Sequence, residues 1–257
     1  MPDSPLRRRA AACAVLSLLV AGSVAAGCRG ASDGATLTVL AASSTQEALQ
    51  ELGLAYTQEH RGVQVRFLFG GSQEMAQRLS EPKNGDVLVT ADEKTMNKAD
   101  DHLTGRRRII AHNSMTIAVG PGNPRRVRGL RDLGRPGLRV AIAAATNPAG
   151  AYARQIFAGA GITVRPSSEE ISVRAVLDRV RTGQADAGLV YITDLRAAGV
   201  AASSVPIAAL ENVTATYLAA AVDDSGHGKE AASFVAWLTT PAARRLFNKY
   251  GFVTPQP

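Results

Sequence analysis

TLTVLAASSTQEAL, residues 36–49, decides the architecture. Thr36, Thr38 and Val39 favour extended backbone around Leu37 and Leu40, and Ala48, Leu49, Leu52 and Tyr56 recur at helical spacing beyond the serines. The stretch reads as a short apolar strand that turns through Ser43 and Ser44 straight into a helix. A serine at that junction is a favoured N-cap, because its oxygen accepts one of the N–H groups that the first turn leaves unpaired. Those same N–H groups, aided by the helix dipole, hold an anion when a ligand takes the place of the cap. On this stretch alone both readings stay open.

The unit then repeats. VQVRFLF (63–69) alternates as a strand does, and Gly70, Gly71 and Ser72 lead into the helical QEMAQRL. DVLVTAD (86–92) is a buried-type strand that ends at a helix opened by Asp92. SMTIAVG (114–120) is another strand, and PGNP (121–124) is strong turn punctuation. A second series follows, with LRVAIAAA as strand and Pro148, whose φ is already right for a helix start, opening AYARQIFAGAG. SVRAVLDRVRTG (172–183) puts Val173, Val176, Leu177 and Val180 on one helical face and closes on Gly183. AGLVY (187–191) is a short strand with Tyr191 at its carboxyl end, and TYLAAAV (216–222) is the return crossing before two terminal helices split at Pro241.

Strands alternating with helices predict an α/β fold with mostly parallel sheets flanked by helices. A chain that leaves one lobe, builds a second and returns has two lobes and two hinge crossings. The punctuation places lobe 1 at 36–119 and 222–257, and lobe 2 at 120–221. In such sheets ligands gather outside the carboxyl ends of strands, where Ser44, Ser72 and Tyr191 all fall.

The first 27 residues read as a lipoprotein signal peptide. Arg7, Arg8 and Arg9 form a basic head, residues 10–26 are almost wholly apolar and small, and Ala25 to Cys28 resembles a lipobox, in which cleavage before the cysteine leaves its thiol to carry a lipid. Ala25 departs from that pattern, which usually has leucine there. The apolar run is short for a membrane span. Cys13 leaves with the signal, so the mature chain keeps Cys28 alone and forms no internal disulfide. Residues 28–35, with GASDGA at their end, read as a flexible tether.

At 257 residues and 46% apolar content the chain has ample material for a core. Its net charge of +7 falls to +5 once Asp3 and the three leading arginines are gone. No aromatic residue interleaves Arg106–Arg108 or the group Arg125, Arg126, Arg128 and Arg131, which speaks against nucleic-acid binding and for a solvated surface with a mild field that gathers small anions. Enzyme signatures are missing. There is no G-x-S-x-G elbow, and His60, His102, His112 and His227 are scattered singly, so no zinc spacing exists. GHGK (226–229) fails as a phosphate loop, with Asp223 in place of the first glycine and Glu230 in place of the hydroxyl residue. Asp86, Asp92, Asp100, Asp101, Asp186 and Asp194 fit caps and turns. No enzymatic activity, cofactor or directly ligated metal cation is expected.

Read together, VLAASSTQEAL, FGGSQEMAQRL, DVLVTAD, NPAGAYARQ, VRAVLDRVRTGQADAGLVYITD and FNKYGF resemble the molybdate-binding proteins of bacterial ABC importers, over residues 36 to 253. The resemblance implies a type II periplasmic-binding fold with an oxyanion held between the lobes. By that resemblance the donors are the hydroxyls of Ser44 and Ser72, the backbone N–H groups of Ala149 and Val173, and the phenol of Tyr191, with Ser43 as an additional candidate. It implies molybdate or tungstate as ligand, an ABC permease and its ATPase as partners, a monomer, and a place on the outer face of the cell membrane through a lipid on Cys28. None of the five matched positions is Asp or Glu. Such a site offers donors only, which suits an anion fully ionised at neutral pH better than one that carries a proton. Gly70, Gly71 and Ile192 depart from the family's usual residues and bear on pocket size. Another oxyanion such as sulfate, or an extracytoplasmic anion-sensing role, is the alternative.

Overall fold

The computed structural model describes residues 34–82 and 84–256; the predicted signal peptide, Cys28 and the first part of the tether lie outside the described residues. Three strand–helix units open the chain: β1 (Ala35–Ala42) to α1 (Gln46–Glu59), β2 (Val63–Gly70) to α2 (Ser72–Gln77), and β3 (Val87–Thr90) to α3 (Glu93–Lys98). β1 and β3 are apolar on both faces because helices cover both. β2 lies at the edge and alternates, with Val63, Val65, Phe67 and Phe69 turned to the core and Gln64, Arg66 and Leu68 turned out.

The long strand β4 (Leu103–Val119) follows, and then β5 (Val140–Ala143), α4 (Pro148–Gly159), β6 (Ser168–Glu170), α5 (Val173–Arg181), β7 (Ala187–Tyr191), α6 (Ile192–Ala198) and β8 (Ser203–Pro206). β9 (Thr214–Val222), α7 (Gly228–Trp237) and α8 (Pro241–Lys249) complete the chain. The strand order is β2-β1-β3-β9-β4-β7-β5-β6, with β8 also on β4. β1 runs parallel to β2 and β3, and β5 runs parallel to β6 and β7. β4 and β9 are antiparallel to their neighbours, because they carry the chain between the two lobes in opposite directions.

β4 is much longer than the predicted strand at 114–120. Its first part, Leu103–Ser114, pairs with β9, and Met115–Val119 pairs with β7 and β8. The chain passes from one set of partners to the other at Ser114/Met115, and passes back as β9 begins at Thr214. Asn212 ties the two passages together: its Oδ1 accepts the Met115 N–H at 3.2 Å and its Nδ2 donates to the Met115 carbonyl at 2.8 Å.

The helices follow their predicted faces. Val173, Val176, Leu177 and Val180 of α5 are buried, Ser172 caps the helix by accepting the Ala175 N–H, and Gly183, at φ 71°, turns the chain away after it. α8 begins at Pro241 with Thr240 as cap. Tyr56, Phe234, Trp237 and Phe247 fill the core under lobe 1, each worth about 1.5–3 kcal/mol of burial or more by apolar area. The Trp237 indole keeps its N–H satisfied by donating to Glu59 at 2.7 Å.

Candidate oxyanion site

Neither serine of the opening turn caps α1. The chain passes from β1 through a single tight turn, Ser43–Thr45, and no side chain accepts from the first N–H groups of the helix. Thr45 turns back to donate to the Ala42 carbonyl at 2.7 Å. Ser44 Oγ instead lies 2.8 Å from the hydroxyl of Tyr217 on β9. Ser72 is the first residue of α2, and its Oγ accepts the Ala91 N–H, at the end of β3, at 3.0 Å. That bond occupies an oxygen lone pair and leaves the Ser72 proton to give.

On the lobe 2 side, α4 and α5 start where the resemblance puts donors. Ala149 is the second residue of α4, yet its N–H already donates to Asn147 Oδ1 at 3.0 Å, so an anion there shares or displaces that cap. Val173 opens α5, and the Ser172 hydroxyl takes the N–H of Ala175 rather than that of Val173. The start of α5 packs on the Ser43–Thr45 turn, which brings the two lobes' candidate residues together. Tyr191 closes β7. Its hydroxyl is buried and has no hydrogen-bond partner among the described residues. Burial holds the Tyr191 phenol well above its usual titration range, so it stays a protonated donor at neutral pH.

All five candidate positions are at most 4% exposed, and Ser43 is 7% exposed. The lobes are closed upon them. Arg174 on α5 pairs with Glu47 on α1 across the cleft, and Tyr152 on α4 donates to the Ala91 carbonyl at 3.3 Å. Gly71 lies against lobe 2 so closely that a Cβ on it would sit 2.8 Å from the Ile171 carbonyl and 2.9 Å from Asn147 Nδ2. Its φ of −65° suits any residue, so close approach, and not backbone conformation, is what calls for glycine there. Three grooves open around the closed cleft. One is lined by Ser44, Glu47, Thr193, Arg196 and Lys249, one by Asp92, Tyr152 and Thr216, and one by Gly71, Asn147 and Ile171. Ser44 alone of the five reaches any of them.

Sequence reasoning missed several residues here. Asp194 was legible as a turn carboxylate, and its Oδ2 does accept the Tyr191 N–H at 3.1 Å. It is also 2% exposed, with Oδ1 unpartnered among the described residues, and burial lifts its carboxyl to about 7 while the Tyr191 N–H and nearby Arg174 pull it down. Tyr217 and Asn113 join the site from the two crossing strands. A lone tyrosine in the alanine-rich TYLAAAV was the one available hint.

Two α/β lobes closed over hydroxyl and N–H donors at strand ends and helix starts define a binding protein that encloses a small solute. The chain belongs to the family of bacterial extracellular solute-binding proteins, whose profile matches residues 37–253; it is a family of binding proteins and not of enzymes. The molybdate-binding protein ModA of Mycobacterium tuberculosis is 36% identical over 251 residues, which cover 94% of this chain and 96% of ModA. A putative ABC transporter substrate-binding lipoprotein of Bacillus subtilis, YvgL, is 27% identical over 84% of this chain and 86% of its own length. Among solved structures, the periplasmic molybdate-binding protein of Azotobacter vinelandii superposes with a TM-score of 0.72 at 23% identity, covering 86% of this chain and all of that one, which speaks to the fold.

Proposed function

We propose that this protein captures molybdate, and tungstate alike, between its lobes through Ser44, Ser72, Ala149, Val173 and Tyr191, and delivers it to an ABC permease driven by its ATPase. The observation that carries the reading is the Tyr191 hydroxyl, buried, protonated and without a partner among the described residues. A buried donor left unpaired costs about 1–3 kcal/mol, a cost that an oxyanion acceptor removes on binding. Charge-assisted hydrogen bonds to a dianion are strong enough that no lysine is needed. The relative named for molybdate at 36% identity supports the choice of ion. A lipid on Cys28 would hold the protein, as a monomer, on the outer face of the membrane, a reading supported by the lipobox-like AAGC and by the lipoprotein named among the relatives.

Sulfate is the competing ligand, because it too is fully ionised and asks for donors only. Calorimetric titration of protein lacking residues 1–28 with molybdate, tungstate, sulfate and phosphate separates the readings. Molybdate and tungstate should bind alike and far more tightly than the other two. Preference for sulfate or phosphate would overturn the assignment.

A further inference from the structure

Two runs that the cleft leaves unused, Arg106–Arg108 and GHGK (226–229), meet in lobe 1 away from the cleft. Between the pairs Thr104–Ala221 and Arg108–Ala219, β4 advances four residues while β9 advances two, and Gly105, at φ 68°, lets the surplus bulge from the sheet. Asp100 pairs with Arg107 on that bulge. Arg106 and Arg108 line a groove of about 400 Å³ beside the start of α7, where Lys229 joins them with Ala221, Ala232 and Val235. Three cations and no carboxylate line it. A groove of that size with an apolar part suits a phosphate that carries an organic group better than a bare ion. Register fixes its place: Thr104 pairs with Ala221, Ala221 with Val87 and Val87 with Val39. The groove therefore lies toward the amino ends of β1 and β3, and Ser44, Ser72 and the cleft lie past the carboxyl ends of β1 and β2.

We propose that this groove docks the phosphate headgroups of anionic phospholipids and seats lobe 1 on the membrane with the cleft turned away from it. The choice of a membrane rests on the lipid on Cys28 proposed above. Cys28 stands six residues before Gly34, at most about 20 Å of extended chain. β1 begins at Ala35, at the same end of the sheet as the groove and three strand spacings from β4, about 14 Å. Tether and groove thus reach one surface together. A tether this short makes the second contact intramolecular, so charges too weak to hold the free protein firmly still orient the anchored one. Each cation beside an anionic surface strengthens binding about fivefold. Seated this way, the cleft faces the solution from which ions arrive. Contacts of this strength are reversible, so the protein leaves the posture to deliver its ion.

The test is co-sedimentation of protein lacking residues 1–28, which keeps every described residue of the fold, with vesicles of phosphatidylcholine with or without an equal part of phosphatidylglycerol. Anionic vesicles should bind it, neutral ones should not, and 0.5 M salt should release it. Arg106→Gln combined with Lys229→Gln, both exposed, should weaken vesicle binding about 25-fold, roughly fivefold for each cation lost, with molybdate affinity unchanged. Arg131→Gln, in the turn between β4 and β5, should weaken it no more than about twofold, because that charge lies outside the groove. Molybdate should bind equally well to free and vesicle-bound protein. Equal binding to neutral vesicles, an unaltered double variant or an equal loss in Arg131→Gln would overturn the inference. Displacement from vesicles by inorganic phosphate, at an ionic strength where chloride leaves the protein bound, would mark a free-phosphate site and overturn it too. Loss of molybdate binding on vesicles would place the cleft against the membrane and contradict the posture. Absence of a lipid on Cys28 in fatty-acid-labelled cells would sink the anchoring reading alone, since vesicle binding is scored on protein without Cys28.

Discussion

Asp194 Oδ2 accepts the backbone N–H of Tyr191 at 3.1 Å, so a carboxyl closed off from water and the hydroxyl that would meet the ligand belong to one turn. Burial pushes the Asp194 carboxyl up to about 7, well above the usual carboxylate range. The folded form therefore holds that proton more tightly than the unfolded chain. Its contribution to stability is full in acid and is lost as pH rises through 7. Urea midpoints should fall between pH 5 and pH 8, and Asp194→Asn, which keeps the acceptor for Tyr191, should remove most of that fall. An unchanged slope in Asp194→Asn would assign the titration to another group.

Gly71→Ala tests how closely the lobes must meet. The backbone tolerates alanine at φ −65°, but the new methyl would press on the Ile171 carbonyl and Asn147 Nδ2. Overpacking of this kind costs about 1–3 kcal/mol, and here it falls on the closed form. Anion affinity should drop roughly 5- to 150-fold with the melting temperature of the unliganded protein little changed. Small-angle scattering should report a more open shape, and an unaltered affinity would show that closure leaves room at Gly71.

At Gly150 the same substitution should act on folding instead. A Cβ there would overlap the carbonyl oxygens of Ala143 and Ala144, which are backbone atoms and cannot swing aside. Gly150→Ala should lower stability by about 3 kcal/mol or more, read by denaturant unfolding. Wild-type stability in that variant would mean that the start of α4 shifts freely.

The Arg174–Glu47 pair bridges the lobes, but its side chains are 27% and 34% exposed, so water and salt screen it. Glu47→Gln should weaken anion binding by no more than about fivefold, and 0.5 M salt should shrink the difference further. A larger loss would make the pair a principal latch.

The sequence made most of this fold legible for a physical reason: VQVRFLF and SVRAVLDRVR carry their own periodicity, and the helices begin at Pro148, just after the cap Ser172, and at Pro241 as local chemistry dictates. The first half of β4 was illegible because Gly105 and Arg106–Arg108 break the apolar pattern and its pairing with β9 shifts register there. β6 and β8 are three and four residues long, and their polar sequences SEE and SSVP become strands only beside β5 and β4. Strand ends pointed to Ser44, Ser72 and Tyr191. Beyond a lone tyrosine among alanines, nothing local pointed to Tyr217 or Asn113, whose parts depend on two crossing strands meeting over Ser44. Asp194 looked like an ordinary cap, and its burial came from tertiary packing alone.

On this reading the Tyr191 hydroxyl, unpartnered among the described residues, is a ligand donor. The measurement that tests it most directly is side-by-side calorimetric titration of molybdate into the wild-type protein and Tyr191→Phe, with Ser44→Ala as a companion. Each variant should lose about 1.5–3 kcal/mol of binding, roughly 10- to 150-fold in affinity, with unliganded stability kept or raised for Tyr191→Phe because an unpaired buried hydroxyl is gone. Wild-type affinity for molybdate in Tyr191→Phe would contradict the account.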